Sequence, residues 1–196
     1  MRKVEIIEER TVYDGWMKVI RARLRQEKFD GSMSEERPYE KMERGDAVAA
    51  LIWNRDTGKI ILINQFRYPA CKHGSGWITE VVAGKVEEGE EPQETVKREL
   101  IEESGYQVET LEHIGDFYVS PGGTTERIFL YYAEVRNIDK IAKGGGLKRE
   151  SEDIQVLEYS WEEVMKMLDN GEFEDAKTII ALMWLKNKRN ARGEEK

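Results

Sequence analysis

Residues 84–105 read GKVEEGEEPQETVKRELIEESG, and this stretch predicts the local structure around which the rest of the chain is arranged. Pro92 suits the first turn of a helix, and Gly105 suits the position just past the helix end. Val96 and Leu100 lie four residues apart between them and supply inward-facing apolar positions. The stretch therefore predicts a loop that leads into a helix ending at Gly105.

The same stretch holds most of the net negative charge of the chain. The full sequence of 196 residues contains 31 Lys+Arg and 39 Asp+Glu, which gives a net charge of −8. Between Glu87 and Glu103 there are eight acidic and two basic residues, so this window alone carries −6. An acidic chain is a poor candidate for binding phosphate backbones, and we expect no nucleic-acid partner.

Three glutamates of the predicted helix share one side of it. At 3.6 residues per turn, Glu99, Glu102 and Glu103 fall within about 100° of the helix circumference. A solvated acidic face is the simpler interpretation. However, like charges at these spacings destabilise a helix, and negative charge is unfavourable in its last turn. A hard divalent cation such as Mg²⁺ binds carboxylate oxygens and gives a reason for the arrangement.

Composition excludes several other classes of protein. The longest apolar run, 47–53, falls far short of the roughly 20 residues that a transmembrane helix needs. The first residues lack the apolar core of a signal peptide, so we expect a cytoplasmic protein without a membrane partner. Cys71 is the only cysteine, which excludes an intrachain disulfide and a cysteine-rich zinc site.

Apolar segments separated by turn residues predict an α+β fold rather than regular βαβ alternation. Residues 54–58 carry a hairpin signal between two apolar runs. Ser160 and Glu163 form a capping-box pattern at the start of a helix. The expected helices are 92–104, 160–168 and 176–187, and the expected strands are 4–12, 17–29, 47–53, 59–66, 77–83, 108–119, 126–135 and 154–159.

The acidic stretch also matches a family signature. Its pattern of glycine, acidic and basic positions is filled by Gly84, Glu90, Arg98, Glu99, Leu100, Glu102, Glu103 and Gly105. At these spacings the chain resembles a Nudix hydrolase, and the closing aliphatic position is the one that differs, where Tyr106 stands. The resemblance implies a Nudix α/β/α sandwich with a mixed sheet, plus a small N-terminal antiparallel β subdomain.

The chemistry that this resemblance implies is hydrolysis of a pyrophosphate linked to a nucleoside, assisted by Mg²⁺ or Mn²⁺. The implied metal ligands are the backbone carbonyl of Ala83 and the side chains of Glu99, Glu102 and Glu103, with Glu103 also assigned to catalysis. The other positions of this signature, the acidic box at 84–105, are expected to be structural. They are Gly84, Gly105, and an internal salt bridge between Glu90 and Arg98.

Outside the box, most of the chain is similar to the branch of the family that hydrolyses ADP-ribose and GDP-mannose. Pro121 lies 16 residues beyond Gly105, as in members that hydrolyse ADP-ribose, within the run SPGGTTER at 120–127. In relatives a later glycine-rich loop supplies a carboxylate that acts as catalytic base or further metal ligand. Glu150 and Glu152 are the candidates here, with Glu150 preferred as the base and Glu152 also assigned to metal. Ordinary loop acids are the alternative.

Residues 1–44 look like the small subdomain of that branch, which in relatives exchanges across a homodimer. There, the nucleobase stacks on an aromatic residue that follows a glycine, and Gly15-Trp16 matches this pair. An aromatic–acid pair of the partner chain corresponds to Tyr39-Glu40, in which Glu40 would accept a hydrogen bond from an adenine amino group. For Trp16 the alternative is a contact in the subdomain core or the dimer.

The remaining substrate positions are assigned by the same resemblance. Arg44 and Arg67 match arginines that contact the diphosphate or the terminal sugar, a task that suits a guanidinium fork. A surface salt bridge is the alternative for both. Glu80 matches a substrate-side acid, and Lys177 aligns with a lysine of GDP-mannose hydrolases. The expected set is completed by Ser120 and Glu126.

The sequence thus predicts an Mg²⁺-dependent hydrolase, with Mn²⁺ as an alternative ion, that cleaves ADP-ribose to AMP and ribose 5-phosphate. GDP-mannose, or a broad range of nucleoside diphosphate sugars, is the alternative substrate. A nucleoside triphosphate pyrophosphatase and a non-catalytic nucleotide-binding module are further alternatives. The extension 1–44 argues against the first, and the complete set of box glutamates argues against the second. The expected organisation is a base-binding and dimerisation subdomain at 1–44, a hydrolase domain at 45–190 and a charged tail at 191–196.

Overall fold

The structure is a computed structural model that describes residues 2–147, 152–191 and 193. These residues form two compact units. The first unit contains the described residues up to Asp46 together with Tyr118–Arg127. The second contains Ala47–Phe117 and the described residues from Ile128 onward. The division into domains at residues 44 and 190 stays a prediction.

The first unit is built on a three-stranded antiparallel sheet. Its strands lie in chain order and are β1 (Val4–Asp14), β2 (Lys18–Gln26) and β3 (Arg37–Glu43). β2 and β3 pair in continuous register, so that Arg21 lies opposite Glu40 and Ala22 lies opposite Tyr39. The small antiparallel sheet expected near the N-terminus is therefore present.

The second unit is built on a mixed seven-stranded sheet. The strands are β4 (Asp46–Asn54), β5 (Lys59–Phe66), β6 (Trp77–Glu80), β7 (Val82–Lys85), β8 (Glu112–Tyr118), β9 (Arg127–Val135) and β10 (Gln155–Ser160). Five of them lie in the order β10-β5-β4-β9-β8, while β6 pairs with β5 and β7 pairs with β4. The helices are α1 (Pro92–Glu99), α2 (Trp161–Asp169) and α3 (Ala176–Ala191).

The central strands are buried on both faces, which explains why they read as continuous apolar runs. Along β4, Val48, Ala50 and Ile52 belong to a core that also contains Val96 and Leu100 from the acidic helix. The intervening Ala49 and Leu51 belong to a second core on the other face, shared with residues of α2 and α3. The α+β class and the α/β/α sandwich predicted from the sequence are confirmed. Among the described residues, no helix is long and apolar enough to cross a membrane.

Two local predictions are confirmed. In the hairpin between β4 and β5, the Asn54 side-chain oxygen accepts hydrogen bonds from the backbone N–H groups of Asp56 and Thr57. At the start of α2, Ser160 Oγ accepts from the Glu163 N–H at 3.3 Å, and the Glu163 carboxylate accepts from the Ser160 N–H at 2.7 Å. Both patterns act between residues close in sequence.

The predicted strand 77–83 is divided into β6 and β7. The division falls at Val81, whose backbone N–H donates to the side-chain oxygen of Thr178 in α3 at 2.9 Å rather than to a neighbouring strand. The interruption therefore has a tertiary cause, since the partner lies 97 residues away in the chain.

β8 also begins later than predicted, at Glu112 instead of 108. Just before the predicted start, the Gln107 N–H donates to the Asp139 carbonyl at 2.9 Å. Val108 is nevertheless buried in the core beside α1, so its apolar character reflects packing rather than strand pairing.

Candidate active site

The helix α1 continues directly into a π turn, Leu100–Ser104, which ends at Gly105. Gly105 has φ of +82°, a left-handed conformation that favours glycine, as predicted for the helix end. The π turn holds Glu102 and Glu103, two of the three glutamates predicted to share one side of the helix, and gives them different exposures. Glu103 turns inward and is 2% exposed, whereas the Glu102 side chain is 19% exposed.

The Glu103 carboxylate is held against β7. Its Oε2 accepts a hydrogen bond from the Ala83 N–H at 3.1 Å. Burial raises the pKa of Glu103 well above its ordinary value; the Ala83 N–H opposes the shift, and the charges of Glu99, Glu152 and Glu80 add to it. The fold thus gathers carboxylates around a buried position, where ionisation is unfavourable without a neutralising group.

Gly84 allows the Glu99 side chain to lie directly against the backbone. A Cβ at position 84 would be 2.1 Å from the Glu99 carboxyl carbon, so any other residue would displace that side chain. Burial raises the pKa of Glu99 to about 7; attraction to Arg98 opposes the shift, and repulsion from Glu102 and Glu152 adds to it. Gly84 therefore forms a cradle for a second carboxylate whose charge is disfavoured.

Arg98 organises the acids at the outer side of the helix. Its guanidinium donates to the two oxygens of Glu90 at 3.2 and 3.3 Å, to Glu99 at 2.8 Å and to Glu102 at 2.9 Å. The hydrogen bonds to Glu90 raise the pKa of Arg98. The structure thus contains the Glu90–Arg98 salt bridge, and Arg98 acts by holding Glu99 and Glu102 in place.

Glu152 approaches the same acids from the glycine-rich loop. Its carboxylate accepts a hydrogen bond from the Leu147 N–H at 2.8 Å. Its charge contributes to the raised pKa values of both Glu99 and Glu103. Glu150, the other candidate base, lies outside the described residues, so the choice between the two loop acids stays a prediction.

Glu80 connects this cluster to a network of cations. Its carboxylate is 2% exposed and accepts hydrogen bonds from Arg67 Nε at 2.8 Å and from Lys177 Nζ at 3.3 Å. Lys177 also donates to Asp175 at 2.6 Å. Three of the predicted substrate residues, Arg67, Glu80 and Lys177, are therefore brought together.

Two residues of this network were not singled out in the sequence. Asp175 Oδ2 accepts from the Thr178 N–H at 2.9 Å and from its hydroxyl at 2.7 Å, which caps the start of α3. An aspartate just before an amphipathic helix is an N-cap signal that could have indicated Asp175. No local signal indicates that the Thr178 hydroxyl oxygen receives the Val81 N–H.

The donor set of the cluster fits a hard divalent cation. The four glutamates and one carbonyl predicted as ligands offer oxygen atoms alone, which is the preference of Mg²⁺. The cradle at Gly84 and the raised pKa values of Glu99 and Glu103 are conditions that a bound cation relieves. Within the described part of the chain, no three His, Cys, Asp or Glu side chains are arranged to hold an ion as they stand.

In the first unit, three of the predicted substrate residues form a chain of contacts. The Trp16 ring is 85% exposed, and the guanidinium carbon of Arg44 lies 5.5 Å from its centroid. Arg44 also forms an ion pair with Glu126 at 3.3 Å. Ser120 is exposed, and its backbone carbonyl accepts from the Gly123 N–H in the turn that follows. The Arg44 guanidinium therefore lies within cation–π distance of the indole while leaving most of the ring exposed, a pairing that the sequence did not indicate.

Tyr39 and Glu40 do not face the same side of the sheet and have different partners within one chain. They are adjacent on β3, where successive side chains point to opposite faces of the sheet. The Tyr39 hydroxyl donates to Gln26 at 2.9 Å. The Glu40 carboxylate instead accepts from Arg21 Nε at 2.8 Å and Nη2 at 2.5 Å.

Comparison with known proteins defines the class to which this fold and this acidic box belong. The family described as "NUDIX domain" matches residues 43–182, and the chain belongs to the Nudix family. The resemblance noted in the sequence is thereby confirmed.

Particular relatives lie within the predicted branch. The chain is 37% identical over 185 residues to an ADP-ribose pyrophosphatase of Escherichia coli O6:H1, covering 93% of this chain and 87% of the relative. It is 35% identical over 181 residues to a GDP-mannose pyrophosphatase of Pectobacterium atrosepticum, covering 91% and 92%. A crystal structure of an ADP compounds hydrolase shares the fold, with a TM-score of 0.74 at 20% identity over 97% of this chain and 96% of that one.

Proposed function

We propose that this chain hydrolyses the pyrophosphate bond of nucleoside diphosphate sugars and cleaves ADP-ribose to AMP and ribose 5-phosphate. The relatives named ADP-ribose pyrophosphatase and GDP-mannose pyrophosphatase match it along almost their whole length and support this substrate class. The observation that carries the proposal is the buried Glu103 carboxylate, anchored on the Ala83 N–H and surrounded by other acids. A cation bound to this cluster would also neutralise the negative oxygens of a diphosphate, which otherwise repel an attacking nucleophile.

We assign the cation as Mg²⁺, with Mn²⁺ as the alternative. The residues that would hold it are Ala83 through its carbonyl, Glu99, Glu102, Glu103 and Glu152. When bound, the ion neutralises the diphosphate and lowers the pKa of a water molecule. The protein contributes orientation: Arg98 holds Glu99 and Glu102 from the outer side, and the Ala83 N–H holds Glu103 from the inner side.

The group that accepts the proton of the attacking water is assigned to a carboxylate of this cluster. Glu150 and Glu152 are the candidates from the loop, and Glu103 is the candidate from the helix. The assignment of Glu152 as a candidate base is supported by its electrostatic effect on Glu99 and Glu103. This effect requires that the three carboxylates lie near one another. A base must lie within hydrogen-bond reach of the proton that it removes, so the proposed water would have to bind among these acids.

Arg67 is assigned, with Arg44, to the diphosphate or the terminal sugar, and Lys177 is assigned to substrate binding. Arg67 and Lys177 share the buried carboxylate of Glu80, which gives each cation a defined direction before substrate arrives. Such preorganisation lowers the entropy lost when the charged ligand binds. Arg44, Ser120 and Glu126 are assigned to the same substrate.

The nucleobase is assigned to Trp16, whose ring is almost fully exposed in the single chain. Stacking on an aromatic ring contributes roughly 1–3 kcal/mol per base. Glu40 would accept a hydrogen bond from the adenine amino group through the oxygen that Arg21 does not occupy. Because Tyr39 points to the opposite face of β3, we assign Tyr39 and Glu40 to separate contacts.

GDP-mannose is the second candidate substrate. The relative from Pectobacterium atrosepticum carries that name and matches 91% of this chain. Lys177, which aligns with a lysine of GDP-mannose hydrolases, is nearly buried in the network around Glu80.

We further propose a cytoplasmic homodimer in which the sheet β1–β3 is exchanged between chains. In the single chain, β1 exposes large apolar side chains, among them Val4, Ile6 and Tyr13. Apolar surface of this kind indicates a partner.

One experiment tests the proposed reaction. The protein is incubated with Mg²⁺ and separately with ADP-ribose, GDP-mannose, UDP-glucose and dGTP, and the products are separated by chromatography. AMP with ribose 5-phosphate supports the proposal, and GMP with mannose 1-phosphate supports the second candidate. Inorganic pyrophosphate from dGTP alone would contradict it. Binding of the nucleotides without any product would indicate a non-catalytic module.

A further inference from the structure

The carbonyl groups that end the acidic helix are bound by the glycine-rich loop. The Gly146 N–H donates to the Glu102 carbonyl at 3.0 Å, and the Gly145 N–H donates to the Glu103 carbonyl at 2.8 Å. Carbonyl groups at a helix end have no partner within the helix and must find one elsewhere. The loop therefore completes the backbone hydrogen bonding of the two residues whose side chains carry the acidic cluster.

The loop and the helix end approach so closely that glycine is required on both sides. A Cβ at Gly144, where φ is +71°, would lie 2.6 Å from the Glu103 carbonyl oxygen. A Cβ at Gly105 would lie 2.2 Å from the Ala142 carbonyl oxygen. The Gly105 carbonyl in turn accepts hydrogen bonds from the N–H groups of Ile141 and Ala142 at 2.9 and 3.2 Å. The glycines serve close packing of two backbones.

The same loop places Glu152. A Cβ at Gly146 would lie 2.6 Å from Glu152 Oε2, and the Leu147 N–H holds that carboxylate. The backbone that binds Glu102 and Glu103 is thus continuous with the groups that orient Glu152. The contact between the two backbones therefore links the loop acid to the helix acids.

We propose that the turn Gly144–Gly146 is a positioning element that keeps the carboxylates of Glu103 and Glu152 near one another for binding of a divalent cation, with Gly144 as the point of contact. The inference rests on the proposed function for the role of the cation. It goes beyond that function because it gives a task to residues that touch neither ion nor substrate. It also opposes the usual interpretation of a triple glycine as a flexible hinge.

The test compares Gly144→Ala with Gly171→Ala in the full chain. Gly171 also has a positive φ, +72°, but a Cβ there would meet nothing within 4 Å, so its variant carries similar backbone strain without the contact. Mn²⁺ alone is the probe, and its affinity is measured by titration calorimetry well below the melting temperature of each protein. Gly144→Ala is expected to bind Mn²⁺ about tenfold more weakly than the wild type, by analogy with other residues that orient metal ligands. Gly171→Ala is expected to bind as the wild type does.

Equal Mn²⁺ affinity in all three proteins would overturn the positioning role. Amide hydrogen exchange of the wild type supplies a second measurement that does not depend on the folding of a variant. The Gly145 and Gly146 amides are expected to be protected to the same degree as the Gly105 amide, and exchange at the rate of exposed loop amides would overturn the proposal. If the variants differ as expected but the wild type hydrolyses no nucleotide sugar, the proposed function fails and the positioning role stands.

Discussion

Among single residues, Glu103 combines deep burial with a charge that its surroundings disfavour. Its pKa in the folded chain is raised above 4.5, so its contribution to stability becomes less favourable as the pH rises above 4.5. Glu103→Gln removes the charge but keeps an oxygen for the Ala83 N–H. We therefore expect the free energy of unfolding at pH 8, measured in chelator, to equal or exceed that of the wild type. We expect turnover of ADP-ribose with Mg²⁺ to fall about 100-fold or more.

The control for this variant is Glu88→Gln. Glu88 is exposed and lies in the same acidic window, so the substitution makes an identical change in net charge without touching the cluster. It is expected to keep the wild-type rate. Wild-type turnover in Glu103→Gln would show that the helix acids are not the metal ligands.

Lys177 is a second residue whose environment permits a quantitative prediction. Burial acts to lower its pKa, but Asp175 and Glu80 together raise it above 10.5. Burial acts to raise the pKa of Asp175, but Lys177 lowers it below 3.8. Lys177→Met would leave both carboxylates without this cation, and we expect the free energy of unfolding at pH 7 to fall by about 3 kcal/mol in urea denaturation.

The pH dependence follows from the two shifts. The contribution of Asp175 is present above pH 3.8 and is lost as the pH falls through its lowered value in the folded chain. The contribution of Lys177 is present below pH 10.5 and is lost as the pH rises through its raised value. The difference in the free energy of unfolding between wild type and Lys177→Met should therefore be constant around neutral pH and become smaller at pH 3.

The control is Lys186→Met, which removes an exposed ion pair of α3. We expect it to lower the free energy of unfolding by less than about 1 kcal/mol. Equal losses of stability in the two variants would refute the network around Glu80.

Among the secondary-structure elements, α3 controls the path of the strands that lead into the acidic loop. The Val81 N–H, at the division between β6 and β7, donates to the buried hydroxyl oxygen of Thr178. Thr178→Val would leave this buried donor unpaired and would also remove the hydrogen bond from the hydroxyl to Asp175. We expect the free energy of unfolding to fall by about 1–3 kcal/mol in urea. Thr178→Ser retains the hydroxyl and should recover most of the loss. If the serine and valine variants were equally destabilised, the hydrogen bond would not be the cause.

On the scale of the whole molecule, the proposed homodimer would build each nucleobase pocket from residues of two chains. The first unit is a three-stranded sheet that buries few large side chains in the single chain, which is a poor basis for independent stability. We expect sedimentation equilibrium to give about twice the chain mass of 22.8 kDa. A mass of one chain across the micromolar range would remove the two-chain pocket while leaving the acidic cluster intact.

The acidic box shows how far local sequence reaches. Pro92 and Gly105 marked the ends of the helical segment, because proline tolerates a first turn and glycine tolerates positive φ. The spacing of the glutamates indicated the family, which the NUDIX match confirms. The helical wheel did not distinguish the buried Glu103 from Glu102, whose side chain is 19% exposed. Both residues lie in a π turn whose carbonyl groups are bound by the loop Gly144–Gly146.

The sequence by itself determined the family of the protein, its fold class and most of the order of its elements, although it did not predict β3. These depend on backbone preferences and spacings within about one helical turn or one hairpin. Tertiary structure decided which carboxylate is buried, which cations share Glu80 and where strand 77–83 is divided. Those outcomes depend on hydrogen bonds between residues as far as 97 positions apart, such as Val81 with Thr178. Burial acts on whichever groups the packed fold brings together, and no local pattern contains that information.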